Sequence, residues 1–399
     1  MTLHQHIKQE WREITQSQWL KALLFWIPAL LVIIIWGVFS KGIASNLAIG
    51  VIDHDNSVIS RGLVRAYDAT PSLEVAHHYH SIKTASLALK EGSIYGYVII
   101  PEGLARDTLL GKSPQVTAFY NSQFILIGKL VSSALLAAHN TYVAQLDTLK
   151  DLVDSHGQLS QAIAQAVPIS YQINPLFNAN SHYGQFLVVA VIPAMWQILI
   201  IATLVIVTAA PMQNNQGNQW LINLTMTNLV KRLSLYLLIF WLQGITYLSV
   251  FYGALHWPMH GSWLLLILAQ LLLVIACAGV ATLLFFVTLD VTRAMSLVAG
   301  LTAPAFAFMG VTFPSTDMPV IAQWWRSLLP ISHYITIQVQ QVNYATPLTD
   351  SISAFIALSA FISCFYLSKV ILHRRQTRSK PPTFNLSQTS VAQDTKRPE

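Results

Sequence analysis

Six apolar stretches, each long enough to cross a bilayer and nearly free of charge, govern what this chain can become. A hydrocarbon core of ~30 Å takes ~20 residues of helix. Runs that meet this requirement fall at about 22–39, 186–210, 233–257, 263–289, 294–313 and 352–372. Lys369, near the end of the sixth, can snorkel to the interface. Only 10% of the 399 residues are charged and 54% are hydrophobic, whereas an ordinary soluble domain has roughly 25% charged residues. A soluble enzyme and a disordered chain are both excluded. The net charge of +6 does not point to nucleic acid, because the basic residues are scattered along the edges of the apolar runs. The first run is longer than the ~7–15 residues of a signal-peptide core, and no small-x-small cleavage site follows it. It reads as a retained anchor.

Orientation follows from where Lys and Arg collect, because short basic loops stay cytoplasmic. Lys8, Arg12 and Lys21 precede the first run, Lys231 and Arg232 the third, and Arg293 the fifth; Lys369, Arg374, Arg375, Arg378 and Lys380 crowd the end of the sixth. The loop 256–262 has neither, and 314–351 has only Arg326. Both termini are therefore expected inside. The segment 41–185 falls outside, with nine basic and ten acidic residues, and is the one part that reads as a water-soluble domain. Its apolar, β-branched stretches 46–53, 95–100 and 116–120 predict strands. Residues 81–90 and the amphipathic run 123–166 predict helices, so the expected fold of this part is α+β. Cys277 and Cys364 both lie in apolar runs, which leaves the exported domain no disulfide. Residues 1–21 suit an amphipathic helix in the membrane interface, with Leu3, Ile7, Trp11, Ile14 and Trp19 toward lipid and Lys8, Glu10, Arg12 and Glu13 between them; a plain extension of the first span fits equally. The polar tail 373–399, with Pro381-Pro382, is expected to be disordered. Overall, the reading is a mainly α polytopic protein with five spans in 186–372.

Little in the chain supports catalysis. Gly111-Lys112-Ser113 ends like a phosphate-binding loop, but Arg106 stands where that motif needs its first glycine. His77, His78 and His80 form the one cluster with metal-ligand chemistry, and no second pair at a recognisable spacing completes a site; a solvated strand edge is the plainer reading. Asp290 and Arg293 read as a local pair at a turn. Within the runs, Gln197, Gln243 and Gln270 stand out, with no intramembrane carboxylate to serve an ion-coupled carrier. They suit interhelical hydrogen bonds or a substrate path. No catalytic, cofactor-binding or metal-binding residue is assigned.

Between the fifth and sixth runs the chain reads FMGVTFPSTDMPVIAQWWRSLLPISHY. Pro314, Pro319 and Pro330 forbid one continuous helix, and a broken apolar segment survives at membrane depth only where protein buries it or it lines a cavity. The pattern Gly310, Phe313-Pro314, Met318-Pro319, Trp324, Leu328, Pro330, Tyr334 resembles the re-entrant segment, here 314–345, of the type-2 ABC exporter permeases. The strand-and-turn IGVIDHDNS, the step GYVIIPEG and Asn174-Pro175 resemble the branch of that family with a large domain after the first span. One feature departs from the family. Where it carries an acidic Glu-x-Gly-Thr coupling stretch, this chain reads PMQNNQGNQWLINL. The expected ATPase contact is then Gln216, Gly217, Asn218, Trp220 and Leu221, and a weakly coupled member of a heterodimer is one account of the missing acids.

The resemblance implies a permease subunit in a bacterial inner membrane. ATP and Mg would be bound by a separate ABC ATPase, a second permease copy or paralogue would complete a dimer, and a periplasmic adaptor and membrane lipid are further partners. Spans without buried charge imply an amphipathic or hydrophobic cargo such as a drug, lipid-like molecule or peptide. The alternative is a non-transporting envelope receptor or scaffold that uses its external domain.

Overall fold

The computed structural model describes residues 3–39, 44–154, 182, 184–213 and 217–379. The chain divides into two compact units. One comprises Met1–Ser40 with Tyr183–Glu399, the other Lys41–His182.

Among the described residues of the first unit, six helices are long and apolar enough to span a membrane: Gln18–Val38, Gly184–Met212, Met226–Ala254, Trp263–Thr288, Val291–Phe308 and Leu348–Thr377. All six expected runs are found, with shifted ends. The third helix starts at Met226 rather than 233, and this draws Lys231 and Arg232 inside it. The fifth stops at Phe308 rather than 313, close to Gly310, whose φ of +89° lies in the left-handed region that side chains rarely adopt. The sixth bends at Phe361–Ile362, and its second half continues as helix to Ser379. Residues 373–379, read from sequence as the start of a disordered tail, are therefore helical, and 380–399 lie outside the described residues.

The second and fourth spans form the centre of this unit, and most of each is buried. Trp196, Tyr236, Phe240, Phe285, Phe286 and Tyr334 are the largest side chains wholly enclosed. The first span instead exposes Trp26, Ile33, Ile34 and Val38, as a helix facing lipid would. Close approach of the second and third spans depends on Gly244. A β-carbon there would lie 2.7 Å from the Trp196 ring and 2.8 Å from Gln270 Oε1, which is the small-residue route to tight helix crossing. Pro193 interrupts the second span. A proline has no N–H to bond the carbonyl four residues back, and Gln338 Nε2 supplies the replacement, donating to Val189 O at 2.9 Å.

The N-terminal helix, Leu3–Gln16, is separate from the first span. Ser17 ends it, and the Ser17 hydroxyl caps the next helix by accepting from Leu20 N at 3.3 Å. The face expected toward lipid is exposed at Ile7, Trp11 and Trp19, and Ile14 departs from it by turning inward. Glu10 is buried too. The helix packs on the third span, where Arg232 offers Glu10 an ion-pair partner.

The second unit is α+β. Strands β1 (Leu47–Asp53), β2 (Leu73–His78), β3 (Gly96–Ile100) and β4 (Thr117–Tyr120) form one sheet in the order β2-β1-β3-β4. β1 pairs parallel with β2 and β3, and β3 pairs antiparallel with β4. Parallel neighbours need a crossover, and the helices Val58–Asp68 and Ile82–Glu91 provide the two. β1 is a central strand and almost continuously buried, so it is apolar throughout instead of alternating. Asp53 and Ser57 set up the first helix. Asp53 Oδ1 accepts from Asp55 and Asn56 N–H, Oδ2 accepts from Ser60 Oγ, and Ser57 and Ser60 complete a capping box. One core, with Ile49, Val51, Leu63, Val98, Ile100 and Leu135, includes the long helix Ile125–Asp154; residues 155–166 of the expected helical run lie outside the described residues. Ile52, Ala85, Ile94 and Tyr97 make a second, smaller cluster.

Candidate coupling interface and re-entrant segment

Three pieces distant in sequence meet at the end of the bundle that carries Lys231 and Arg232. Arg232 Nε lies 3.4 Å from Glu10 Oε1, and its Nη2 donates to Glu13 Oε2 at 2.9 Å. Tyr236 Oη donates to Glu10 Oε2 at 3.1 Å. Burial raises the Glu10 pKa from 4.5 to about 7; the Arg232 charge opposes this, Glu13 adds to it and the tyrosine hydrogen bond opposes it. Beside this cluster lies a groove of about 440 Å³, lined by His6, Glu10, Arg232, Pro211, Trp220 and Leu224.

Trp220 brings in the third piece, the short helix Gly217–Asn223, which contains most of the expected ATPase contact. Leu221 is buried in the bundle core, Trp220 packs against that core, and Gln219 and Asn223 are exposed. The sixth span fixes the end of this helix, because Gln376 Nε2 donates to both Leu221 O and Leu224 O at 2.9 Å. Gly217 and Asn218 belong to the helix, and Gln216 lies outside the described residues. The exposed residues of the helix after Asn218, Gln219 and Asn223, are uncharged amides. Asp290 and Arg293 do not form the expected side-chain pair. Asp290 Oδ1 instead accepts from the Arg293 backbone N–H at 2.7 Å and caps the fifth span.

The segment between the fifth and sixth spans contains two helices, Val320–Ser327 and Pro330–Val339, the latter continued by a π turn Gln340–Tyr344. Each break has a proline. Pro314 precedes a 3-10 turn, Pro319 caps the first helix and Pro330 occupies the first turn of the second. Met318 and Tyr334 are buried, and Tyr334 is wholly enclosed; Phe313 and Trp324 are exposed. The second helix is therefore core and the first presents apolar side chains outward.

The three glutamines each join helices. Gln197 Oε1 accepts from Ile331 N at 2.8 Å, at the start of the second re-entrant helix. Gln270 Nε2 donates to Gly244 O at 2.9 Å and to Tyr334 Oη at 3.3 Å. Gln243 accepts from Trp196 Nε1 at 3.3 Å and donates to Leu24 O. Gln197 Nε2 and Gln270 Oε1 remain buried without partners.

The six spans, the inserted α+β domain and the proline-broken segment before the last span now stand as one architecture. A family model described as "ABC-2 family transporter protein" matches residues 19–368. The chain belongs to the ABC-2 transporter family. It is a multi-pass membrane component of an ABC transporter, and membership implies an ATPase partner. A search of curated proteins finds no match. In this ABC-2 protein, His77 and His78 lie on edge strand β2 and His80 follows it, all three exposed. Among the described residues no three His, Cys, Asp or Glu groups gather as a metal site. Sequence reasoning missed the Glu10–Arg232–Tyr236 cluster, whose signal was available. The apolar periodicity runs back through Val230 to Met226, which puts Arg232 inside a span where an arginine calls for a carboxylate.

Proposed function

We propose that this chain is the permease subunit of an ATP-driven exporter that moves an amphipathic or hydrophobic molecule outward across a bacterial inner membrane. Two permeases, identical or paralogous, would work with two ATPase chains that bind ATP and Mg. The observation that carries the reading is the helix Gly217–Asn223, fastened to the sixth span through Gln376 and sharing a groove with the N-terminal helix. A push on that helix would reach the N-terminal helix and the third and sixth spans together. The Lys and Arg residues near it favour a cytoplasmic location for this end and for both termini. The re-entrant helices, with exposed Trp324, would then close the outer end of the path, and Gln197 and Gln270, each with a spare buried polar atom, are its candidate polar lining. A periplasmic adaptor would engage the inserted domain.

Affinity purification from mild detergent should retain an ABC ATPase at near-equal stoichiometry. The reconstituted complex should move a fluorescent amphiphile only with hydrolysable ATP. Absence of the ATPase, with an intact permease in hand, would reject this reading. The receptor alternative has one observation in its favour: a cavity of about 410 Å³ in the inserted domain, bordered by Leu63, Leu104, Lys112, His139 and Tyr142. Ligand binding to this domain without any effect on ATP turnover would favour it.

A further inference from the structure

Two lysines from different spans converge at the end of the bundle that carries Arg232. Lys231 is half-buried near the start of the third span, and Lys369 is exposed on the second half of the sixth. Both line a groove of about 430 Å³, together with Met226, Val230, Phe365 and Tyr366. Its described lining residues include no carboxylate. Among the described residues neither lysine joins an ion pair.

The third and sixth spans both pack on the fourth, and the groove is the gap between them. Gly279 brings the fourth and sixth close: a β-carbon there would lie 2.8 Å from Phe361 O and 3.2 Å from Cys364 Cβ. One turn on, the Ser368 and Thr282 hydroxyls are buried 3.3 Å apart. With Cys364 and Ser368 facing the fourth span, the helical period turns Phe365, Tyr366 and Lys369 away from it. Apolar surface then continues from each lysine toward the middle of its span. Leu238 and Leu242 follow Lys231 on one face of the third, and Tyr366 and Ile362 stand one and two turns before Lys369 on the sixth; all four are exposed.

Two like charges at one groove repel unless an anion lies between them. An ammonium is a compact point charge and holds phosphate without a fixed two-bond geometry. Basic pockets between spans are where anionic lipid head groups bind. An acidic protein surface would match the charge but leave the apolar stripes above the lysines unexplained, and a lipid accounts for both.

We propose that Lys231 and Lys369 together bind the phosphate of an anionic phospholipid whose acyl chains lie along Leu238, Leu242, Ile362 and Tyr366. The lipid ties the third span, which meets the N-terminal helix through Arg232, to the sixth, which holds the helix Gly217–Asn223 through Gln376. The inference goes beyond the export reading and does not depend on it, since binding needs neither ATPase nor cargo.

The test titrates the purified, delipidated full chain in neutral detergent with phosphatidylglycerol, phosphatidylcholine and inorganic phosphate. Native mass spectrometry reads bound lipid, and thermal melting reads the stability it adds. At about fivefold per lysine, phosphatidylglycerol should bind roughly twentyfold more tightly than phosphatidylcholine. Lys231→Gln or Lys369→Gln should each lose about fivefold of that preference, and the double variant should bind the two lipids alike and gain no stability from phosphatidylglycerol. Replacing both lysines by arginine should keep the preference. So should Lys8→Gln with Arg374→Gln, which removes two exposed charges outside the groove. Should the double glutamine variant not fold, Lys369→Glu, at an exposed position, is decisive and should abolish the preference by itself. Equal binding of the two lipids to the unaltered chain overturns the proposal, as does a preference that survives in the folded double variant or in Lys369→Glu. A loss just as large in the Lys8 and Arg374 variant assigns the effect to the general basic surface and overturns it too. Displacement of the lipid by inorganic phosphate at equal concentration overturns the lipid as the ligand, and so does an acidic protein partner that competes with it for the two lysines.

Discussion

Glu10 shows how a single side chain can report on the joint between two helices. Its folded-state pKa of about 7 lies above the ordinary 4.5 because burial disfavours the charge. Between those two pH values the folded chain holds a proton that the unfolded chain has lost, so this contribution is complete below pH 4.5 and is lost as pH rises through 7. Each pK unit corresponds to about 1.4 kcal/mol. Thermal melting of the purified protein should therefore show a fall in stability from pH 5 to 8 that Glu10→Gln flattens. Arg232→Ala should cost about 1–3 kcal/mol through the lost hydrogen-bond and ion-pair contacts to Glu10 and Glu13, because Glu10 avoids an unpaired buried charge by keeping its proton. A melting temperature unchanged in Arg232→Ala would show that the pair does not hold the N-terminal helix.

At the scale of elements, side chains from one helix repeatedly complete the backbone of another. Gln338 does so for the second span, where Pro193 has left Val189 O without its usual donor. Gln338→Leu should cost about 1–3 kcal/mol by leaving that carbonyl unsatisfied. In a Pro193→Ala background the helix recovers its own bond and the same substitution should cost clearly less; a double-mutant cycle with no coupling would refute this account. Gln376 does the same for the helix Gly217–Asn223. Gln376→Ala should loosen that helix, with hydrogen exchange at 221–225 rising about thirtyfold, for roughly 1 kcal/mol for each of the two lost bonds, while the rest of the bundle is unchanged. The breaks at Pro319 and Pro330 were legible in the sequence, because proline restricts its own backbone and needs no partner to do so. The partnerships of Gln338 and Gln376 were not legible. A glutamine at an apolar position announces a hydrogen bond but not which distant carbonyl receives it.

In the molecule as a whole, the two compact units should answer pH in opposite directions. His139, in the inserted domain, is held below its ordinary 6.5 by burial and hydrogen-bonds Tyr67 Oη at 3.1 Å. Its neutral form stabilises that domain above pH 6.5, and the stabilisation is lost as pH falls below it. Hydrogen exchange corrected for intrinsic rates should show Val58–Asp68 better protected at pH 7.5 than at 5.5, and the N-terminal helix the reverse. Parallel changes in both would contradict the assignment. The large-scale plan could be read from the chain because missing charge over ~20 residues is a local signal. β1, β3 and β4 could be read for the same reason. β2 was harder, since an edge strand ending in exposed His77 and His78 carries only half of an apolar pattern. The Glu10 cluster was hardest, being a contact across 226 residues. That separation also has a consequence in time. At ~5–20 residues per second, the ribosome needs roughly 10–45 s after making Glu10 to deliver Tyr236, and two spans and the inserted domain are synthesised in between. Until then Glu10 has neither Arg232 nor Tyr236 to dock against, so the joint between the N-terminal helix and the third span is among the later contacts to form.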